Sequence, residues 1–494
     1  VNLNATVRTP PRENSLAWAL PALLFAGLVV RLIFISSEGF KTDVQTFESW
    51  AISLAEHGYG KFYGTTGFAD YPPGYFYILG IVGQIWEALF KSSDGGHYVV
   101  LKALVKLPAI LADLGVGILT YAVVRRFASA GIALGAAALY LLNPAVIYNS
   151  AAWGQVDSIA GGLALFAIYC LLRSDDEAPG LNWWIVAGWL VMAYSLLIKP
   201  QAAVLLPLMV AFAFVDRDRR RERIISTAIG VVAALLLALI VVEPFHPSSP
   251  VAAFDWLLSR YSYGSNVYAF NTVNAFNLWA IRGSFWQPDT NPINAFGGIP
   301  LGPQYLWGIL LVLAAVALVV WRYVQDKAPR ALLEGCAIST IAFFVLATRM
   351  HERYLFNGLL FTIVCLPFAR RYLWGAIALT VVLFANLQYS LQYLYVMDNH
   401  VPGVNAQNLW GPATSLFALI AVGTFFWLGY QFLGGEAAVT TAEAAPDRAR
   451  SAPVATPTEA WTGTRHWFNP REGLVAMRAP VDYVVAGAFG VVNF

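Results

Sequence analysis

Apolar runs of roughly twenty residues, each interrupted by short polar clusters, dominate this chain. Twelve runs are long enough to be helices crossing a bilayer, which needs about 20 apolar residues. They cover 15–35, 100–124, 131–149, 157–173, 182–198, 200–216, 225–244, 304–322, 331–348, 354–369, 372–394 and 412–433. A further run, 72–90, opens on Pro72-Pro73, which suits a helix start. Two intervals are long and polar-aromatic, 36–99 and 245–303. Loops of that length are uncommon unless functional or disordered, and their aromatic content argues against disorder. The pattern predicts an all-α polytopic membrane protein of about twelve spans, with two long external loops carrying juxtamembrane helices.

Composition agrees. The 494 residues are 58% hydrophobic and only 12% charged, against about 25% charged in soluble domains. Seventeen Trp and 23 Tyr suit interfacial aromatic belts. A net charge of +2 gives no reason to expect nucleic acid. Cys170, Cys336 and Cys365 sit inside apolar runs and read as small core residues. Basic residues set orientation. Arg8, Arg12, Arg125-Arg126, Arg173, Arg217 to Arg223, Arg322 to Arg330 and Arg370-Arg371 all fall on one side of a twelve-span arrangement, the cytoplasmic side. That holds only if 72–90 does not cross, so it is expected to be juxtamembrane or re-entrant. The resulting division is a cytoplasmic N-terminus 1–14, a module 15–244 containing the first external loop 36–99, a second external loop 245–303, C-terminal spans 304–433 and a cytoplasmic tail 434–494. The tail reads as a linker over 436–460 and ends on an apolar stretch, Val481 to Phe494, too short to span. The triplet Asn4-Ala5-Thr6 lies on the cytoplasmic side, where glycosylation is not expected.

The polar clusters gather on the opposite side. Lys41 to Trp50 follows the first run, and Asp43 in it is the candidate general base; its bland alternative is a helix cap. Glu48 reads as structural, and Asp70 before Tyr71-Pro72-Pro73 as a cap first and a binding group second. Leu142-Asn143-Pro144 and Trp153-Gly154-Gln155-Val156-Asp157-Ser158 form a turn in which Gln155 and Asp157 are expected to line a pocket. Lys102 and Lys106, four apart on one helix, read as snorkelling cations. Lys199 is a possible phosphate contact. Thr348 to Tyr354 packs Arg349, His351, Glu352 and Arg353 between two spans; arginines outside the positive-inside pattern suit phosphate, which a guanidinium grips in two-point fashion. Glu352 would orient Arg353 or bind an acceptor. Asn271, Asn274 and Asn277 among aromatics suit sugar recognition. No second His makes a zinc motif of His351 and Glu352.

Taken in order, these motifs resemble the GT-C glycosyltransferases that use polyprenyl-phosphate sugars. Asp43 to Trp50, Asp70 to Pro73, Leu141 to Pro144 and His351-Glu352-Arg353 are similar to elements of dolichyl-phosphate-glucose glucosyltransferases. Trp153 to Ser158 and Met350 to Tyr354 are similar to bacterial proteins related to GPI mannosyltransferase II. The likeness covers roughly 15–400. It implies a GT-C-like fold in which the second loop follows the seventh helix, as the charge-based count also has it. It further implies inverting, metal-independent transfer of a hexose, mannose or glucose, with Asp43 as base. The carrier phosphate would be held by Arg353, Lys199 and His351. No cofactor is implied. The partners would be a polyprenyl-phosphate-linked donor, a lipid, glycan or protein acceptor on the non-cytoplasmic side, and membrane lipids, in a bacterial inner membrane. Arg353 stands where the glucosyltransferases carry Lys, and Gln155 is not part of the Phe-Gln pair common in them, so sugar and acceptor do not transfer with the name. The alternatives are a catalytically silent GT-C-like subunit of a larger complex and a transporter of lipid-linked sugars; no internal repeat of the kind transporters carry is present.

Overall fold

The computed structural model describes residues 18–90, 98–294, 298–401, 404–406 and 409–434. The expectations for the tail 435–494, its apolar end and the triplet at Asn4 lie outside the described residues. Leu23–Gly435 forms one unit; of the other, 1–22 with 436–494, only the opening of the first helix is described.

Among the described residues the protein is helical apart from a two-stranded antiparallel ribbon, Pro292–Asn294 with Pro300–Pro303. Seven helices are long and apolar enough to cross a membrane: Tyr98–Arg125, Asp157–Ser174, Arg220–Val242, Gln304–Asp326, Pro329–Leu346, Arg370–Asp398 and Pro412–Leu433. Each coincides with an expected span. An eighth is broken, Ala130–Leu141 and Pro144–Trp153 being bent by 44°. The break sits at Asn143-Pro144: the Asn143 side chain accepts from the Ala145 and Val146 amides and starts a new helix. Expected spans 15–35, 182–198 and 200–216 appear as the shorter apolar helices Ala19–Phe34, Trp183–Ile198 and Pro200–Val215. Expected span 354–369 is only a 3₁₀ turn, Glu352–Leu355, and a nine-residue helix, Phe356–Val364. By length and composition the count is therefore seven or eight, short of twelve.

Both long loops hold helices. The first contains Lys41–His57, Tyr59–Thr65 and Gly74–Phe90; the second contains Pro250–Val267 and the ribbon. Gly74–Phe90 packs against Lys41–His57 so closely that a Cβ on Gly83 would lie 1.9 Å from the Ala51 carbonyl. Beneath them Phe47, Trp50, Phe62, Tyr71, Tyr75 and Phe76 form a buried aromatic cluster. Edge-to-face pairs such as Trp50–Phe76, with centroids 5.2 Å apart, add about 0.5–1.5 kcal/mol each beyond burial. This cluster gives the first loop a core of its own, so the groups it carries are held in place.

Two of the arginines expected to share a side, Arg126 and Arg223, meet carboxylates at one end of one helix. Arg126 pairs with Asp176, and Arg223 with Asp175 and Asp216, where helix Asp157–Ser174 ends. Asp157, with the other motif residues around it, stands at the opposite end of that helix.

Candidate active site

Asp43 is the third residue of helix Lys41–His57. The helix is capped at Phe40 without a side-chain bond, so the carboxylate is not spent as a cap. Its Oδ2 accepts from Trp153 Nε1 at 2.9 Å and from Gln155 Nε2 at 2.6 Å. Its Oδ1 has no hydrogen-bond donor among the described residues.

Two segments must meet for this to happen, and the backbone shows how. Tyr148–Trp153 is a π-helix ending at Gly154 in left-handed conformation; such wide turns recur at functional sites. The connector 37–39 lies against its end. Gly39 has φ +58, and a Cβ there would sit 2.6 Å from the Ala152 carbonyl. Lys106 Nζ donates to the carbonyls of Ser37 (2.7 Å), Ala151 (3.1 Å) and Ala152 (2.9 Å), fastening one segment to the other. Lys106 is fully buried, so the snorkelling reading fails for it: its partners are carbonyls left free by the wide turn, which a buried cation also needs. Lys102 instead pairs with Glu38. Below, the fully buried Asp113 accepts from Arg31, Tyr140 and Ser150, and Ser150 lies inside the π-helix.

Arg353 approaches the same Trp153 ring. Its guanidinium carbon is 6.0 Å from the centroid of the Trp153 ring. Nη1 donates to the buried Glu352, and Nε is buried without a partner. Lys199 Nζ donates to Asp157 Oδ1 at 2.9 Å and lies 5.3 Å from the Tyr71 ring centroid. Asp157 also accepts from Asn149 at 3.1 Å, and the Tyr71 hydroxyl donates to Gln155 at 3.5 Å. His351 is held edge-on by Tyr268, centroids 4.6 Å apart. Burial, with the charges of Arg353 and Lys199, pushes its imidazole well below the usual range, so it stands neutral.

A cavity of about 640 Å³ is lined at its polar end by Asp70, Tyr71, Lys199, His351, Arg353 and Tyr354. Tyr305, Ile309, Phe343 and Ala347 form an apolar flank. Burial raises the Asp70 carboxyl to about 6, against the pull of Arg353 and Lys199. The helix that follows opens at Gly74, four residues beyond Asp70.

Of the eight sequence-derived residues, Asp70, Lys199, His351 and Arg353 line the cavity, while Asp43, Gln155, Asp157 and Glu352 do not. Gln155 and Asp157, expected to line it, are 1% exposed and stand behind its wall: Gln155 bonds Asp43, and Asp157 neutralises Lys199. Glu352 likewise holds Arg353 and is absent from the lining. Arg349 spends its guanidinium on the buried Asp289 (2.6 Å) and on Asn266 (2.8 Å), so of the two arginines Arg353 is the one with an uncommitted N–H. Two of the three second-loop asparagines serve the backbone, and Asn274 accepts from the Trp286 indole. Asn271 accepts from the Thr272 and Gln287 amides, and Asn277 donates to the Phe344 and Ala347 carbonyls. Trp153 and Lys106 were the residues whose part the sequence did not reveal; the only trace of the second was a cation amid apolar neighbours.

Chemically, a carboxylate with one open oxygen lies beside a fixed guanidinium and a half-neutralised ammonium. Such a set can take a proton and hold an anion. No curated protein matches the chain. Residues 70–247 match the family described as dolichyl-phosphate-mannose-protein mannosyltransferase, a stretch that includes Asp70, Gln155, Asp157 and Lys199. That match covers about a third of the chain, and together with the long apolar helices it likens the chain to membrane glycosyltransferases.

Proposed function

We propose that the chain transfers a hexose, mannose or glucose, from a polyprenyl-phosphate carrier to an acceptor hydroxyl on the non-cytoplasmic side, with inversion. Asp43 acts as base through Oδ1. It takes the proton as the acceptor oxygen forms its bond to the anomeric carbon. The bond from that carbon to the phosphate oxygen breaks on the far face, and polyprenyl phosphate leaves with the electron pair. One displacement gives one inversion.

The leaving group goes from one negative charge to two as the phosphodiester becomes a monoester. Arg353, Lys199 and the N–H of neutral His351 stabilise that added charge; donors aimed at developing charge lower the barrier. Asp157 and Glu352 hold the two cations in place. The apolar flank at Ile309 and Phe343 accommodates the first prenyl units.

The observation that carries this reading is that an Asp43 carboxylate with an open oxygen and an Arg353 guanidinium with an unpartnered Nε both contact one indole, that of Trp153. The test is transfer from purified polyprenyl-phosphate mannose or glucose in proteoliposomes, wild type against Asp43→Asn. Carrier-dependent transfer lost in the folded variant supports it. Turnover retained by Asp43→Asn removes Asp43 from the role, and wild type without carrier-dependent turnover leaves the silent-subunit or transporter reading.

A further inference from the structure

A second hollow, of about 530 Å³, is built against the helix that bears Asp43. That is within the range of about 300–1,000 Å³ usual for small-molecule sites. One wall is the polar face of helix Lys41–His57, on which Thr42, Thr46, Ser49, Ser53 and Glu56 follow at helical spacing. Its floor is Trp50 and Phe68, whose rings stack with centroids 6.4 Å apart. Thr66 closes it, with a buried hydroxyl that has no partner.

Two relations tie this hollow to Asp43. Thr46 is three residues from Asp43, hence beside it on the helix surface. The segment 68–71 is shared: Phe68 belongs to the hollow, while Asp70 and Tyr71 line the cavity next to Arg353. A two-substrate transfer needs one chamber for the donor and another for the acceptor, with the base between them. Asp43 lines neither chamber; Thr42 and Thr46, which precede and follow it on the helix, line the hollow.

We infer that this hollow binds the acceptor, and that the acceptor is an uncharged oligosaccharide. The inference rests on the transferase reading above. Its chemistry follows from the lining. No Lys or Arg lines the hollow, and its one imidazole, His57, follows Glu56 in the sequence, so no permanent cation is there to grip the phosphate or pyrophosphate of a lipid acceptor. Its walls are helices Lys41–His57 and Tyr59–Thr65, which offer no strand edge for an extended peptide. Hydroxyls, an amide, an imidazole and one carboxylate above an aromatic floor are the groups that bond sugar hydroxyls and pack against the C–H face of a pyranose.

The experiment uses the full chain in nanodiscs, with mannotriose and maltotriose as probes, read by saturation-transfer NMR and by acceptor KM. Wild type and Asp43→Asn should both bind a trisaccharide. Ser49→Trp and Ser53→Trp, which fill the hollow from two positions, should weaken binding and raise acceptor KM about tenfold or more. Equal binding and KM in both filled variants, or no binding of either trisaccharide by wild type at millimolar concentration, overturns the inference. Neither result touches Asp43, whose role is read separately from the loss of transfer in Asp43→Asn.

Discussion

Asp43 and Trp153 are joined by a 2.9 Å hydrogen bond from the indole Nε1, and the same indole lies under the guanidinium of Arg353. The indole gives its N–H edge to the anion and its ring to the cation. Each keeps one polar atom uncommitted, the carboxylate its Oδ1 and the guanidinium its Nε.

Replacing Asp43 by Asn keeps the shape and removes the proton acceptor. Transfer should fall by about 10²–10⁴, the usual worth of general-base catalysis. Thermal unfolding in detergent should match wild type, since the Trp153 and Gln155 donors still find the amide oxygen. Equal rates for the two proteins would rule out the base assignment.

Arg353→Met should cost both activity and stability. It strands Glu352, which is 3% exposed, as a buried charge without its cation, a loss of about 3–5 kcal/mol. The double variant Arg353→Met with Glu352→Gln should regain stability without regaining turnover. Melting curves and transfer rates, taken together, check this separation.

Lys106→Met uncovers three carbonyls and loosens the junction between the connector 37–39 and the π-helix. Displacement of a reacting group by an ångström costs about 10²-fold. A fall of that order in kcat is expected, with donor KM little changed, because Lys106 does not line the cavity. Lys106→Arg should recover part of it.

Asp70 gives a pH dependence. Its carboxyl titrates at about 6 because burial disfavours its charged form, so below that pH the cavity loses one negative charge. The donor phosphodiester keeps a single charge throughout. Donor affinity should therefore be higher at pH 5 than at pH 7.5, and Asp70→Asn should flatten the difference. Stability moves the same way. The native state holds a proton that the unfolded chain, with its ordinary 3.8, has released, so this contribution is full below that value and is lost as pH rises through about 6. Titration of donor binding and of melting temperature in both proteins tests the sign.

How much of this was visible beforehand depended on whether the partner of a residue was a side chain or the backbone. Seven long spans were legible because about twenty apolar residues in a row, bounded by Arg or Pro, leave few choices. The break at Asn143-Pro144 was harder: 145–152 stays mostly apolar, and hydropathy carries no direction. Asp157 and Lys199 were both marked as polar groups at one end of the bundle. Their mutual neutralisation across 42 residues of sequence could not be read from either. Lys106 and Asn277 bond main-chain carbonyls, which every residue type supplies, so composition had nothing to say about them. Asparagines suit sugars and turns equally well, and here the turns claimed Asn271 and Asn277.

The wide turn at Tyr148–Trp153 also restricts how the chain can change. A π-helix differs from an α-helix by a whole residue, and each residue is worth about 100° of rotation. Deleting one position between 148 and 153 would restore ordinary winding and swing the indole away from the carboxylate in a single step, with no intermediate setting. Insertions and deletions elsewhere in these loops can be absorbed gradually; at this spot the spacing is all or nothing.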